Sequence, residues 1–419
     1  MPPEPQRRAL SLASFGIIFI AAIVASSRQL EMAGTPSLIE TDADWYRKMV
    51  DDWQCQVLYS SSLNQQQHLT ITRMSTTMKA IVISEFGPVE NLVIKQVPKP
   101  SATVPGTALI RIKAFGINHA EMHMRRGEWA ESVPISGIEC VGIIEECPGG
   151  EFAPGTPVAA LMGGLGRTIP GSYAEYTVAN TANIVALGNP DEELPISWAD
   201  AAALPESYAT AWTCLFRNLN LQRRQRILIR GATSSFGRAA VNLAVEAGAI
   251  VTATSRSEAK FATLKDLGVT ECVVEAPNLS ERLSEGGDFN KFDCVLELVG
   301  NSTVVDSLRL VRRDGRLCLA GWLGGLDPIK GPAGPEESRG FNPLLQMASG
   351  VHFSFFGSFV FGNKDFPVSD VPLKSVLEKV AEGKIDAKPW KVFAFEDIRA
   401  AHQAMESGHT GGKMVVVVD

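Results

Sequence analysis

The sequence predicts an α/β protein in which a β-rich part is joined to a βαβ part with a parallel sheet. Three observations predict it. The stretch Arg226–Gly237, RILIRGATSSFG, reads as a short buried strand, a small-residue turn and the start of a helix. Apolar strand-like runs begin near Arg226, Ile250, Cys272, Asp293 and Arg316, with helix-like or polar segments between them at nearly even spacing; serial βαβ units build a parallel sheet. Ahead of them, residues 78–178 carry many short strand-like runs broken by Gly and Pro turns, the pattern of a compact β-rich domain.

Ile227, Leu228 and Ile229 make the buried strand, and Gly231–Gly237 the turn. Ala240, Leu243, Ala244 and Ala247 follow at helical spacing, and Gly248 ends the helix. Free N–H groups at a helix N-terminus, with the partial positive charge there, suit a pyrophosphate. The candidate contacts are Gly231, Ser234, Ser235, Phe236 and Gly237. Gly231-x-x-Ser234-x-x-Gly237 departs from the usual G-x-G-x-x-G, and alone it fits a tight turn about as well. The serial strands after it tip the reading toward a dinucleotide. The second strand ends at Thr254, and no acid lies in Thr254–Ser257 to bind a ribose 2′-hydroxyl. Ser255, Arg256 and Lys260 offer a hydroxyl and two cations instead, which favours NADPH over a plain solvated strand end.

The chain has 419 residues, enough for two domains with sizeable cores. Its apolar share of 45% and charged share of 20% are those of a globular protein, and a net charge of −7 gives no footprint for nucleic acid. The 7 cysteines include no C-x-x-C pair, and several lie in apolar runs, so reduced thiols and a cytoplasmic setting are expected.

Residues 1–77 do not resemble the rest and form an N-terminal extension. Arg7 and Arg8 precede an uncharged stretch, 9–27, that reads as a signal peptide, a signal anchor or a marginal membrane helix. Its four serines and one glycine weaken that reading, and membrane contact is expected only if the stretch inserts. The alternatives are a dispensable tail or upstream sequence included in the reading frame. From Met78 the body begins with a strand to Ile83. Leu109–Ala114 is a half-buried strand, with Ile110 and Ile112 on its inner face. GINHAEMHMRRG, Gly116–Gly127, is a loop leading into a short helix. Strand-like runs follow at Ile135–Ile144, Gly155–Leu161 and Tyr173–Val178. Ala199–Leu219 is apolar and helical. Gly324–Gly340 is a loop, and Val351–Phe361 an apolar, aromatic segment after the last parallel strands. Helices are expected at Leu373–Val380 and Phe395–Met405, and a final strand at Lys413–Val418 returns to the first domain.

On these residues the body resembles the medium-chain dehydrogenase/reductase superfamily, and within it the zinc-independent quinone oxidoreductase branch that includes zeta-crystallin. The resemblance rests on GINHAEMHMRRG, PISGIECVG, LPESYATAW, GATSSFG and the ending GGKMVVVV. It implies a GroES-like β-rich catalytic domain (78–203 and 363–419) with a doubly wound Rossmann domain (204–362) inserted. Zinc-dependent relatives have Cys, His and Cys where this chain has Asn118, Ile138 and Glu206. Only Cys147 falls where they carry a four-cysteine lobe. His119 and His123, at i and i+4, make a poor site without a third ligand, so no metal is expected.

Without a metal, hydride delivery to a carbon already polarised by conjugation is the easier reaction. The resemblance therefore implies NADPH-dependent reduction of a conjugated carbonyl: a quinone, an enone or an enoyl thioester. His123 stands where relatives often have Tyr; it is a candidate proton donor or hydrogen-bond partner, or else a surface histidine. Asn118 is a candidate for the cofactor ribose or the substrate carbonyl. Thr210, Val299, Gly300, Gly321 and Lys413 complete the implied cofactor contacts, while Glu139 reads as structural. His352, His402 and His409 read as structural or surface residues. A homodimer is expected. The alternatives are an alcohol dehydrogenase and a structural or regulatory protein that binds NADPH without turnover.

Overall fold

The chain divides into Met1–Met74 and a body, Ser75–Asp419. The computed structural model describes residues 76–283, 291–325, 327–329, 341–408 and 411–418. The stretch 9–27, Cys55, His409 and most of the expected 324–340 loop lie outside the described residues.

β1 (Thr77–Ile83) and β2 (Leu92–Pro98) form an antiparallel pair, Thr77 opposite Pro98 and Ile83 opposite Leu92. β3 (Thr107–Ile117), β4 (Glu139–Glu146), β5 (Pro157–Leu161), β6 (Tyr176–Asn180) and β7 (Ile184–Ala186) follow. The parallel strands are β8 (Arg226–Arg230), β9 (Ile250–Ser255), β10 (Glu271–Val274), β11 (Phe292–Glu297), β12 (Val311–Leu319) and β13 (His352–Phe355). β14 (Lys391–Ala394) and β15 (Met414–Val417) come last.

The first large sheet has the order β14-β15-β3-β4-β5-β7, with β6 also on β3. β15 pairs antiparallel with β3, Met414 opposite Ile117, so the C-terminal strand closes the N-terminal sheet. β3 is longer and more deeply buried than the half-exposed strand expected at Leu109–Ala114. Leu109, Ile110 and Ile112 are all nearly inaccessible. Both faces are covered: Ile110 and Ile112 pack in a core with Ile398 and Met405, while Ala114 joins a second core with Ala201 and Tyr208.

The second sheet is wholly parallel, in the order β10-β9-β8-β11-β12-β13. The strand order reverses between β8 and β11, the switch point at which such sheets take ligands beyond their carboxyl ends. Ile227 and Ile229 point into one core and Leu228 into another, each fully buried. That is why the run is continuously apolar. The segment Val351–Phe361 was expected after the last parallel strand. Its His352–Phe355 instead forms the sixth strand, pairing parallel with β12.

Among the described residues the helices are α1 (His119–Arg126), α2 (Trp198–Ala201), α3 (Pro205–Trp212), α4 (Ser235–Glu246), α5 (Phe261–Asp266), α6 (Leu279–Leu283), α7 (Val304–Leu310), α8 (Pro343–Gln346), α9 (Leu373–Ala381) and α10 (Ile398–Glu406). The expected helix Ala199–Leu219 is broken into α2, α3 and a π-helical turn, Thr213–Asn218. Pro205 explains one break, since it suits the first position of a helix and not the interior. α4 buries Ala239, Ala240, Val241, Leu243 and Ala244, and its Asn242 Nδ2 donates to Tyr208 Oη at 2.8 Å. That bond ties α3 to α4 and so sets the polar cluster described below against the dinucleotide turn. Among the described residues no helix is long and apolar enough to cross a membrane.

Candidate active site

The turn after β8 is built for close approach. Gly231 has φ +79°, in the left-handed region that glycine tolerates. Its N–H donates to Thr254 Oγ1 at 3.0 Å, pinning the turn to β9. Ser234 caps α4, its Oγ accepting from Gly237 N at 2.9 Å. A Cβ on Gly237 would lie 2.4 Å from Gly231 O, so helix and turn pack as closely as they do only without one. The N–H groups of Ser235 and Phe236 then head the helix, where no intrahelical acceptor exists. These residues fit a pyrophosphate.

Behind the turn lies a buried charge that sequence reasoning missed. Arg230 ends β8 and is fully buried. Its guanidinium pairs with Glu275, donates to Asp306 Oδ2 at 2.8 Å and to Ser307 Oγ at 2.9 Å, and lies 3.7 Å from Glu297. Glu297 Oε1 accepts from Val299 N at 2.8 Å and from Gly300 N at 3.0 Å. Val299 and Gly300 are thus aimed by the Arg230–Glu297 pair across the switch point. Gly321 has no room for a side chain, since a Cβ would lie 2.2 Å from Leu298 O. The available signal was the charge inside the run ILIRG: an arginine facing a core must be paired.

At the end of β9 the three candidates separate. Ser255 is buried, donating to Ser257 O at 3.0 Å and accepting from Ser257 N at 3.2 Å, so its hydroxyl shapes the turn. Lys260 is half-buried in a single 3₁₀ turn, Glu258–Lys260. Arg256 is exposed at the strand's carboxyl end.

Asn118, Glu139, Thr210 and Lys413 do converge, and Glu121 and Glu206 join them. Asn118 caps α1 with Glu121 in a reciprocal capping box, its N–H donating to Glu121 Oε2 at 2.7 Å. Its Nδ2 donates to Glu139 Oε1 at 2.8 Å, and its Oδ1 accepts from Lys413 Nζ at 2.6 Å. Lys413 also pairs with Glu139. Glu139 Oε2 accepts from Glu206 N at 2.7 Å, and Glu206 Oε1 from Thr210 Oγ1 at 3.0 Å. Both ends of the Asn118 amide are therefore engaged, and Lys413 acts as the cluster's counter-ion. Burial pushes the Glu121 carboxyl up to about 7, although Ile138 N donates to it and Lys413 is near. Burial also raises Glu206, opposed by the Lys413 charge and the Thr210 hydrogen bond.

His123 lies apart from this cluster in its bonding. It sits near the end of α1, pairs through Nδ1 with Glu128, and stacks on Trp129 with ring centroids 5.8 Å apart. His352 is an exposed β13 residue, and His402 is buried against Tyr173.

The family described as Alcohol dehydrogenase GroES-like domain matches residues 104–189, and that described as Zinc-binding dehydrogenase matches 267–416. The chain belongs to the medium-chain dehydrogenase/reductase superfamily. Its place there is the quinone oxidoreductase-like branch, and it is an oxidoreductase. NAD(P)H oxidoreductase RTN4IP1, mitochondrial, of Danio rerio is 26% identical over 376 residues, covering 82% of this chain and 92% of that one. The quinone oxidoreductase of Mus musculus is 28% identical over 263 residues, covering 60% and 75%. A solved structure of an NAD-dependent alcohol dehydrogenase is 26% identical with a TM-score of 0.65, covering 82% and 100%.

One of these family descriptions implies zinc, and the donor set does not fit it. Ile138 offers no ligand atom, the Asn118 amide is engaged at both ends, and an ammonium stands among the carboxylates. Among the described residues no three His, Cys, Asp or Glu are grouped to hold a metal.

Proposed function

We propose that this chain is an NADPH-dependent reductase of a conjugated carbonyl compound (a quinone, an enone or an enoyl thioester) that works without zinc. The observation that supports it best is the pairing of two features. A turn and helix N-terminus fitted to a pyrophosphate begin α4, and α3, packed on α4, carries a polar cluster centred on an ammonium–carboxylate pair instead of a metal donor set. The bound dihydronicotinamide supplies a hydride. The chain's own part is to hold the pyrophosphate on the Ser235 and Phe236 N–H groups, to aim Val299 and Gly300 through Glu297, and to present polar groups to the oxygen that gains charge. Arg256, exposed at the end of β9, favours the 2′-phosphate of NADPH. A second copy of the chain is proposed at the outer edge of β13, where Phe355 and the nearby Leu344 and Leu345 are exposed; the mass in solution tests it.

The test of function is NADPH oxidation by the purified chain against a quinone, an enone and an enoyl thioester. Turnover of at least one is expected. Oxidation of simple alcohols with NADP⁺ and no reduction of any of the three would overturn the reading.

A further inference from the structure

We propose that Glu206 is the proton donor of this reduction, with Thr210 holding its carboxyl group in place. The inference rests on the reductase reading above and adds the acid which that reading lacks.

Hydride transfer to a conjugated carbonyl leaves negative charge on the acceptor's oxygen, and a proton must follow. The cluster offers few groups to deliver it. Asn118 and Lys413 bond to each other and to Glu139. Glu121 and Glu139 are fully buried, and backbone N–H groups hold both. Glu206 is the one carboxylate of the three with access to solvent.

Its position is fixed from several elements. Its own N–H is held by Glu139 of β4, and its Oε1 accepts from Thr210 one helical turn on, at 3.0 Å. Ser358, just past the end of β13, is near enough to oppose the upward shift of the carboxyl. Cys214, in the π-helical turn that continues α3, shares a core with Cys318 near the end of β12. The helix that carries Glu206 therefore packs in one core with Cys318 and Phe356, at the carboxyl ends of β12 and β13. Arg256 at the end of β9 marks the adenosine half of the sheet, so the β11–β13 half is the one that takes the nicotinamide. The charged and titratable groups facing Glu206 are Lys413, Glu139 and Cys214, with Glu121 beyond Glu139. Burial favours the acid form that a donor requires.

The dihydronicotinamide C–H bond breaks and a C–H bond forms at the acceptor's β-carbon; the cofactor is oxidised and the acceptor reduced. The acceptor's π pair moves toward its oxygen. The Glu206 O–H bond breaks as an O–H bond forms on that oxygen, and the carboxylate left behind regains its proton from water.

The experiment compares wild type, Glu206→Gln, Glu206→Asp and Thr210→Val with NADPH and an enone. Proton donation by a placed side chain is worth about 100- to 10,000-fold, so Glu206→Gln is expected to lose at least the lower figure in kcat, with Glu206→Asp between. NADPH affinity, read by nicotinamide fluorescence, is expected to stay within about twofold in Glu206→Gln. Wild-type kcat should fall as pH rises through the carboxyl's pKa, and Glu206→Gln should lack that limb. Thr210→Val should move the limb to higher pH, because the lost hydrogen bond favoured the carboxylate. Independently of turnover, difference infrared titration of the resting wild type should show, besides the Glu121 carboxyl, a second protonated carboxyl persisting above the ordinary carboxylate range, absent in Glu206→Gln and shifted upward in Thr210→Val. A Glu206→Gln rate within about threefold of wild type with the same limb, or a carboxyl spectrum unchanged by Glu206→Gln, overturns the assignment while leaving the reductase reading intact. A wild type that reduces no conjugated acceptor overturns both.

Discussion

Lys413 and Glu139 are 274 residues apart in sequence and form an ion pair with side-chain exposures of 5% and 0%. The pair joins the approach to β15 with β4, and with Asn118 it ties both to the start of α1. Removing one partner of a buried pair strands the other charge, at a cost of about 3–5 kcal/mol. Lys413→Met should lower unfolding free energy in urea by about that amount. Lys413→Met with Glu139→Gln should recover at least about 1 kcal/mol, because no uncompensated charge remains. A single variant within about 0.5 kcal/mol of wild type would show that the pair contributes little.

His402 supplies a pH-dependent part of stability. Its Nε2 lies 2.9 Å from Tyr173 Oη, and burial, with Arg125 and Arg126 nearby, depresses its pKa from 6.5 to about 3. The folded state thus binds fewer protons than the unfolded state between those values. Its contribution is complete above about pH 6.5 and is lost as pH falls toward 3. At about 1.4 kcal/mol per pH unit, the imidazole should weaken folding by about 2 kcal/mol between pH 7 and pH 5. His402→Gln keeps a partner for Tyr173 and should lack this component. Urea unfolding of both proteins at the two pH values measures it, and parallel losses in the two would refute the account.

Much of the fold was legible because periodicity and turns carried it. Ile227–Ile229 announced β8, and the even spacing of later runs announced β9 to β12. β13 was obscured because its burial is partial: Phe353 and Ser354 are half-buried while His352 and Phe355 are exposed, so no alternation marks a strand. The site was legible in its turn but not in its polar cluster. Asn118, Glu139, Glu206 and Lys413 meet only through tertiary structure, and a lysine three residues into GGKM carries no local sign that it is buried. Glu206 drew attention only as a position without a metal ligand, and the Thr210 hydroxyl that bonds its carboxyl gave no sign of doing so in the sequence. Ser255 read as a phosphate contact because its type suits one, whereas the chain turns its hydroxyl back on Ser257.

His123 was expected to assist catalysis, and its bonding argues for a small part. The ring's Nδ1 is held by Glu128 and its face by Trp129, with a side-chain exposure of 21%. His123→Ala should therefore lower the rate of enone reduction by about tenfold or less, well under the range for a placed proton donor. Steady-state rates for His123→Ala and Glu206→Gln, taken side by side, measure the contrast. A larger loss in His123→Ala than in Glu206→Gln would return the proton to the histidine.

The proposed preference for NADPH rests on Arg256. It stands exposed at the carboxyl end of β9, beside Ser255 and ahead of the 3₁₀ turn that carries Lys260. No acid occupies Thr254–Ser257 to accept from a ribose 2′-hydroxyl, so NADH gains nothing there. A guanidinium can form paired, charge-assisted hydrogen bonds with a phosphate, each worth about 1.5–3 kcal/mol. Arg256→Ala should therefore weaken NADPH by about 10- to 150-fold at 1.4 kcal/mol per tenfold, while NADH affinity changes by less than about threefold. Arg256→Lys keeps the charge but loses the fork, and should fall between. Fluorescence titration with each cofactor reads all three proteins. Because the contact is electrostatic and exposed, the wild-type preference should also shrink as ionic strength rises. Equal losses for NADPH and NADH in Arg256→Ala would mean that the arginine supports the turn without recognising the phosphate.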